Sequence, residues 1–237
     1  MSVVESRGWF RLLVAVFAVS LLSGCATTNL KQIDRLAAID EEKPRILVMT
    51  PDIKYYLLTA SGVPEPHAEW TTSARGNFAA ALSDYANERN TEVQLISDQD
   101  QLGDTEIEYQ KLYSAVGNTI LTNHLGVTKL PTKNGSFDWT LGPGVQAIGE
   151  KWDADYALFS YYRDYQASGG RVAFAVLAAA AGVGVSMGSE GGFASLVDLR
   201  TGDIVWFNQV VSGAGELRDE QGARTTVDQL FKDLPEG

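Results

Sequence analysis

Cysteine occurs once in the 237-residue chain, as Cys25, and it directly follows Leu22-Ser23-Gly24 at the end of an apolar run from Leu12 to Leu22. With no second thiol to oxidise against, the chemistry open to this nucleophile is alkylation to a thioether, not a disulfide. The remaining reactive side chains are less well placed. Glu65, His67 and Glu69, in the stretch Pro64 to Trp70, put two carboxylates and an imidazole at alternate positions. Alternate spacing in a loop is not a metal signature, and zinc would need a further ligand that only His124 or a distant acid supplies. That stretch is expected to be a solvated acidic loop. His124, beside Asn123, is expected near a helix end, in favourable contact with its dipole. Ser23, Ser160, Ser168 and Ser195 lack a nucleophile-elbow context, and Gly169-Gly170 and Gly191-Gly192 lack the strand-Gly-helix order that cradles phosphate. Tyr161, Tyr162, Arg163 and Tyr165 make an aromatic strand end able to grip a peptide or glycan, or simply to pack on a sheet. The expectation is a non-enzymatic protein with no catalytic residues, no metal and no cofactor.

The second feature is a run without charge, from Val172 to Ser189. As one helix it would be about 27 Å long, near the lower limit for a bilayer's hydrocarbon core. A single crossing would place the strands before and after it on opposite sides of a membrane, although both belong to one expected sheet. A barrel hairpin should alternate apolar and polar positions, and here the alternate set is Ala173, Ala175, Leu177, Ala179 and Ala181. What remains is a cover over the sheet, a surface dipping into lipid, or a contact with a partner. Abundant alanine and glycine supply little volume for a core and allow close approach of another surface, so a contact is expected. Its residues are Phe174, Val176, Leu177, Val183, Val185 and Met187.

Arg7 and Arg11 precede the apolar run, which is too short to span a membrane comfortably, so residues 1–24 are expected to be a signal peptide. Three segments follow: the signal (1–24), a polar tether (25–43) and one α/β domain (44–237) with the apolar insertion 172–189. The formal net charge is −11, and cleavage would remove Arg7, Arg11 and only one acid, Glu5. Nucleic acid is thereby excluded as a partner, and anionic head groups would repel the domain. Membrane attachment must come from a lipid and from local apolar surface.

Strands are expected at 45–50, 92–97, 155–162, 193–199 and 204–211, with a further strand or irregular extension at 52–59 and a loop at 62–66. Helices are expected at 72–90, capped by Thr71 or Thr72, at 106–123 and 145–152, and at 224–234. At Arg200-Thr201-Gly202-Asp203 a hairpin turn is expected, with Gly202 at positive φ and Trp206 facing the same side as Ile204. The fold class is α/β: one mixed sheet with helices packed on it and a C-terminal antiparallel meander.

Two resemblances add to these readings. Leu22-Ser23-Gly24-Cys25 resembles the bacterial lipobox, whose cysteine receives a diacylglycerol before its freed amine is acylated, a palmitate-type anchor. Ala26, where an aspartate would retain a lipoprotein in the inner membrane, implies a periplasm-facing outer-membrane location, with the inner membrane as the alternative because sorting rules vary. Asp153-Ala154-Asp155-Tyr156 and Leu199-Arg200-Thr201-Gly202-Asp203-Ile204-Val205-Trp206 resemble paired motifs of the periplasmic lipoprotein domains typified by the curli secretion channel lipoprotein CsgG, the penicillin-binding-protein activators and the TolB amino-terminal domain. That likeness, closest to uncharacterised proteobacterial lipoproteins, implies that the two motifs lie side by side in one sheet. It implies a lipid-anchored envelope protein that binds an envelope partner or self-assembles, with an oligomeric secretion-channel component as the alternative and a hydrolase or glycan-binding module behind it.

Overall fold

The computed structural model describes residues 28–31, 36, 43–89, 93–96, 102–211 and 215–235. The signal segment and Cys25 lie outside them. One mixed sheet organises the chain, in the order β1 (Thr28–Lys31), β8 (Ile204–Val211), β7 (Gly188–Asp198), β6 (Tyr156–Ala167), β2 (Ile46–Val48) and β5 (Val93–Leu95). β3 (Asp52–Leu58) runs parallel to the far half of β6, and β4 (Pro64–Pro66) pairs with β3. β6, β7 and β8 are the expected antiparallel meander.

The two-residue strand period divides the apolar side chains between two cores. Ile46, Val48, Tyr156 and Leu158 face α1 (Ala68–Glu88) and α5 (Glu220–Leu230), meeting Phe78, Leu82 and Val227. Leu47, Met49, Ala157 and Phe159 face the opposite layer, α2 (Asp104–Thr119) with its π-helical continuation Ile120–Leu125 and α3 (Gln146–Trp152). Burial on both faces is why β2 and the first half of β6 are continuously apolar instead of alternating.

Four local expectations are corrected. Pro64–Pro66 is an edge strand and not a loop, because a proline that cannot donate is tolerated where one side of the strand is unpaired. α1 begins earlier than expected: His67 caps it, Nδ1 accepting from the Trp70 amide at 3.4 Å while its ring stacks on Trp70. Thr71 instead accepts from the Tyr55 amide at 3.0 Å, tying the helix to β3. α5 likewise starts at Glu220, because Asp219 accepts from the Gly222 amide at 2.8 Å. Trp206 and Ile204 face opposite cores, since Leu196 pairs with Trp206 but Val197 with Ile204. Val205 is the extra residue of a β-bulge, which reverses the alternation.

The two motif segments do lie side by side, with Tyr156 opposite Asp198. Asp155 accepts from the Arg45 backbone at 2.9 Å and from its guanidinium, while Asp198 pairs with Arg200 at 2.6 Å. Gly202 takes φ +86°, and a Cβ there would sit 2.2 Å from the Gly142 carbonyl oxygen. The motif is therefore a folded corner, held by ion pairs and a close backbone approach. Residues 28–31, within the stretch expected as a tether, form β1 against β8.

Candidate interaction surface

The charge-free run forms a helix, α4 (Gly169–Ala180), and a loop that returns to β7 at Gly188. Ser168 starts the helix by accepting from the Arg171 amide at 3.1 Å, and alanine-rich composition favours its continuation. Gly182, at φ +79°, ends it, its amide and that of Val183 donating to the carbonyls of Ala179 and Ala178. No residue of α4 is buried. Leu177 is 73% exposed and Val176 65%, and Val172, Phe174, Val183 and Met187 are exposed as well, while Val185 is partly covered. Of the three roles open to the run, a cover over the sheet is excluded by this exposure.

The arm is fixed at its base. The Ser168 amide donates to the Leu58 carbonyl at 3.0 Å, and Arg171 donates to the carbonyls of Ser186 at 3.1 Å and Ala60 at 3.4 Å. These bonds join the first turn of α4 to the returning loop and to the β3–β4 turn. A short isolated helix is marginal in water, and an exposed apolar one also leaves its hydrophobic surface wet.

Below the arm lies a polar network that the sequence did not single out. Asp164 of β6, 2% exposed, faces Glu190 of β7 across the ladder and lies near Glu216 and Arg218. Burial pushes its pKa up to about 6, with Glu190 and Glu216 adding to the rise and Gln166, donating at 3.3 Å, and Arg218 opposing it. Burial also opposes ionisation of Glu216, but Arg218, through side chain and backbone, and the Tyr55 hydroxyl at 2.9 Å outweigh it and bring the pKa to about 2. The two acids thus depend on pH in opposite senses. Glu216 adds stability above about pH 4.5 that is lost as the pH falls toward 2. Asp164 costs nothing below about pH 3.8, and its cost is complete above about pH 6. The rise from 3.8 to about 6 amounts to about 3 kcal/mol. Asp164→Asn is expected to stabilise the domain by about 1–3 kcal/mol at pH 7.5 and by little at pH 4, read by denaturant unfolding. Equal stability of variant and parent at pH 7.5 would contradict this.

Several of the other singled-out residues have structural partners. No group of three or more His, Cys, Asp and Glu suited to a metal occurs among the described residues. Burial, reinforced by Lys129 and Lys133 and opposed by Asp138, lowers the pKa of His124. In the aromatic strand end, Tyr165 stacks on Tyr56 at 4.8 Å and Tyr161 on Phe193 at 4.7 Å, while Arg163 covers Tyr161 and pairs with Asp52 at 2.7 Å. Glu106 of α2, 1% exposed, accepts from Lys151 at 2.6 Å, Trp152 at 2.8 Å and the Gly103 amide at 2.8 Å.

Fold and surface together define an α/β domain, two helical layers around a mixed sheet, that carries an exposed apolar arm at one sheet end. No family model matches the chain, and no curated protein matches its sequence. Among solved structures, the PelC dodecamer from Paraburkholderia phytofirmans is similar at 12% identity, covering 89% of this chain and 98% of that chain with a TM-score of 0.40. Lipoprotein GNA1162 from Neisseria meningitidis is similar at 14% identity over 71% of this chain and 84% of that one, TM-score 0.31. The LpoB C-terminal domain from Salmonella enterica is similar at 14% identity over 71% and 82%, TM-score 0.27. These likenesses concern the path of the chain.

Proposed function

We propose that this chain is a lipid-anchored, non-enzymatic protein of the bacterial cell envelope, attached through Cys25 to the periplasmic face of the outer membrane. There it binds an envelope partner or self-assembles, with α4 and the loop to Met187 as its contact surface. The observation that carries the proposal is that α4 has no buried residue. A fixed helix that carries no charge beyond Arg171 and is left in water is a liability unless it is covered in the cell. The lipobox-like sequence at Cys25 supplies the envelope setting, and the helix-capping role of His67 accounts for a side chain that would otherwise suggest metal chemistry.

Leu177→Cys tests the contact. A lipidated Cys25 has no free thiol, so position 177 is then the sole site for a maleimide reagent. Position 177 is expected to be protected in isolated envelopes and reactive in the purified soluble domain, while Lys111→Cys, on the exposed surface of α2, reacts in both. Equal reactivity of position 177 in both preparations would contradict an occupied surface.

A further inference from the structure

Resting on the reading of α4 as a covered surface, we infer that what covers it is the lipid bilayer that holds Cys25, with α4 lying in the boundary between head groups and acyl chains. The strand register carries this. β1 is antiparallel to β8, with Lys31 opposite Trp206 and Thr28 opposite Gln209. Gln209 in turn faces Phe193, and Phe193 faces Tyr161. Passing from Lys31 back to Thr28, the chain therefore travels in the direction in which β6 runs to Ala167 and β7 runs back to Gly188. That is the sheet end from which α4 projects. Cys25 precedes Thr28 by three positions, a reach of at most about 10 Å, and Gly188 lies five residues, about 17 Å, beyond the row of Phe193. β1 thus runs back toward the arm's end of the sheet, and an acyl chain attached within that reach of Thr28 would span what the backbone leaves.

The two ends of the sheet differ in chemistry. The arm end adds the β3–β4 turn, because Leu58 pairs with Ala167, and it exposes Val63 beside α4. The far end carries Arg45, Asp153, Asp155, Asp198 and Arg200, joined in ion pairs. A domain whose exposed apolar helix projects at one end, with Glu65 and Glu190 nearer its base, and whose ion-paired corner lies at the other has the polarity of a protein seated on a membrane by that helix. Seating, not spanning, follows from length. The twelve residues of α4 make a helix of about 18 Å against a core of about 30 Å, and no helix among the described residues is long and apolar enough to cross. Arg171 at the base of α4 sits where a cation meets phosphate head groups, and the charge-free helix beyond it meets acyl chains.

The test uses the full lipidated chain carrying Leu177→Cys, labelled with nitrobenzoxadiazole and reconstituted in phosphatidylethanolamine–phosphatidylglycerol vesicles. Nitroxide-bearing lipids then report depth. Emission at position 177 is expected to shift to the blue and to lose at least half its intensity with a shallow acyl-chain nitroxide, while a label at Lys111→Cys keeps its aqueous emission and is unquenched. Aqueous, unquenched emission at 177 would overturn bilayer coverage. So would a blue-shifted label that lipid nitroxides leave bright but a spin-labelled second copy quenches, which would make the occupant another copy of this chain. Protection of position 177 in envelopes combined with no quenching in pure lipid would overturn bilayer coverage and leave the proposed contact surface standing. Loss of protection in envelopes would remove both.

Discussion

Cys25→Ser is expected to shift most of the protein from the membrane pellet to the soluble fraction and to abolish the lipid mass on the mature chain. Cys25 is the only thiol in the sequence, so no other side chain can accept the diacylglycerol. The size of the effect follows from anchoring energetics. Each buried methylene contributes about 0.8 kcal/mol, and stable attachment needs two signals, because one short chain binds only reversibly. A lipidated amino terminus supplies several acyl chains. The serine variant retains the arm alone, a single apolar helix on a domain with a formal charge of −11, which anionic head groups repel. Weak, reversible association is all that should remain. An unchanged pellet fraction together with an unchanged mass in the variant would defeat lipid anchoring, and the placement of the protein in the envelope with it.

Legibility of the fold in the sequence tracked how local each cause is. β2, β6 and β8 were readable because apolar runs bounded by Pro51 and by the Arg200–Asp203 turn need no knowledge of their partners, and Gly202 announced the positive φ that the turn requires. β1 was not, since Thr28–Lys31 is polar and becomes a strand only through a ladder to β8, some 180 residues away in sequence. The bulge at Val205 has no signature of its own, being visible only in the register of β7 against β8. His67, flanked by Glu65 and Glu69, reads as a ligand candidate in sequence, yet it is three residues from an amide that needs an acceptor, and an imidazole serves that purpose as a hydroxyl would.

The candidate surface was legible in place but not in kind. Absence of charge fits a buried cover as well as an exposed contact, and only the alanine and glycine content favours the contact, because hydrophobicity measures what a segment would gain by leaving water and not whether its own chain supplies the cover. Exposure of Phe174, Val176 and Leu177 rules out the buried cover. The network of Asp164, Glu216 and Arg218 leaves no local signature for the same reason as β1, its members coming together only when β6 and the segment leading into α5 are folded.

The central claim, that α4 is a contact surface standing outside the core, is tested most directly by Leu177→Asp in the purified, non-lipidated mature chain, with thermal melting and association measured on the same sample. Leu177 is 73% exposed, so an aspartate there stays in water and should change stability by less than about 0.5 kcal/mol. Insertion of the same charge into lipid or an apolar contact goes unpaired and costs several kcal/mol, enough to reduce association by a hundredfold or more. The account predicts a melting midpoint within about 2 °C of the parent and loss of vesicle or oligomer binding. A collapsed melting transition, or a normal one with binding intact, would contradict it.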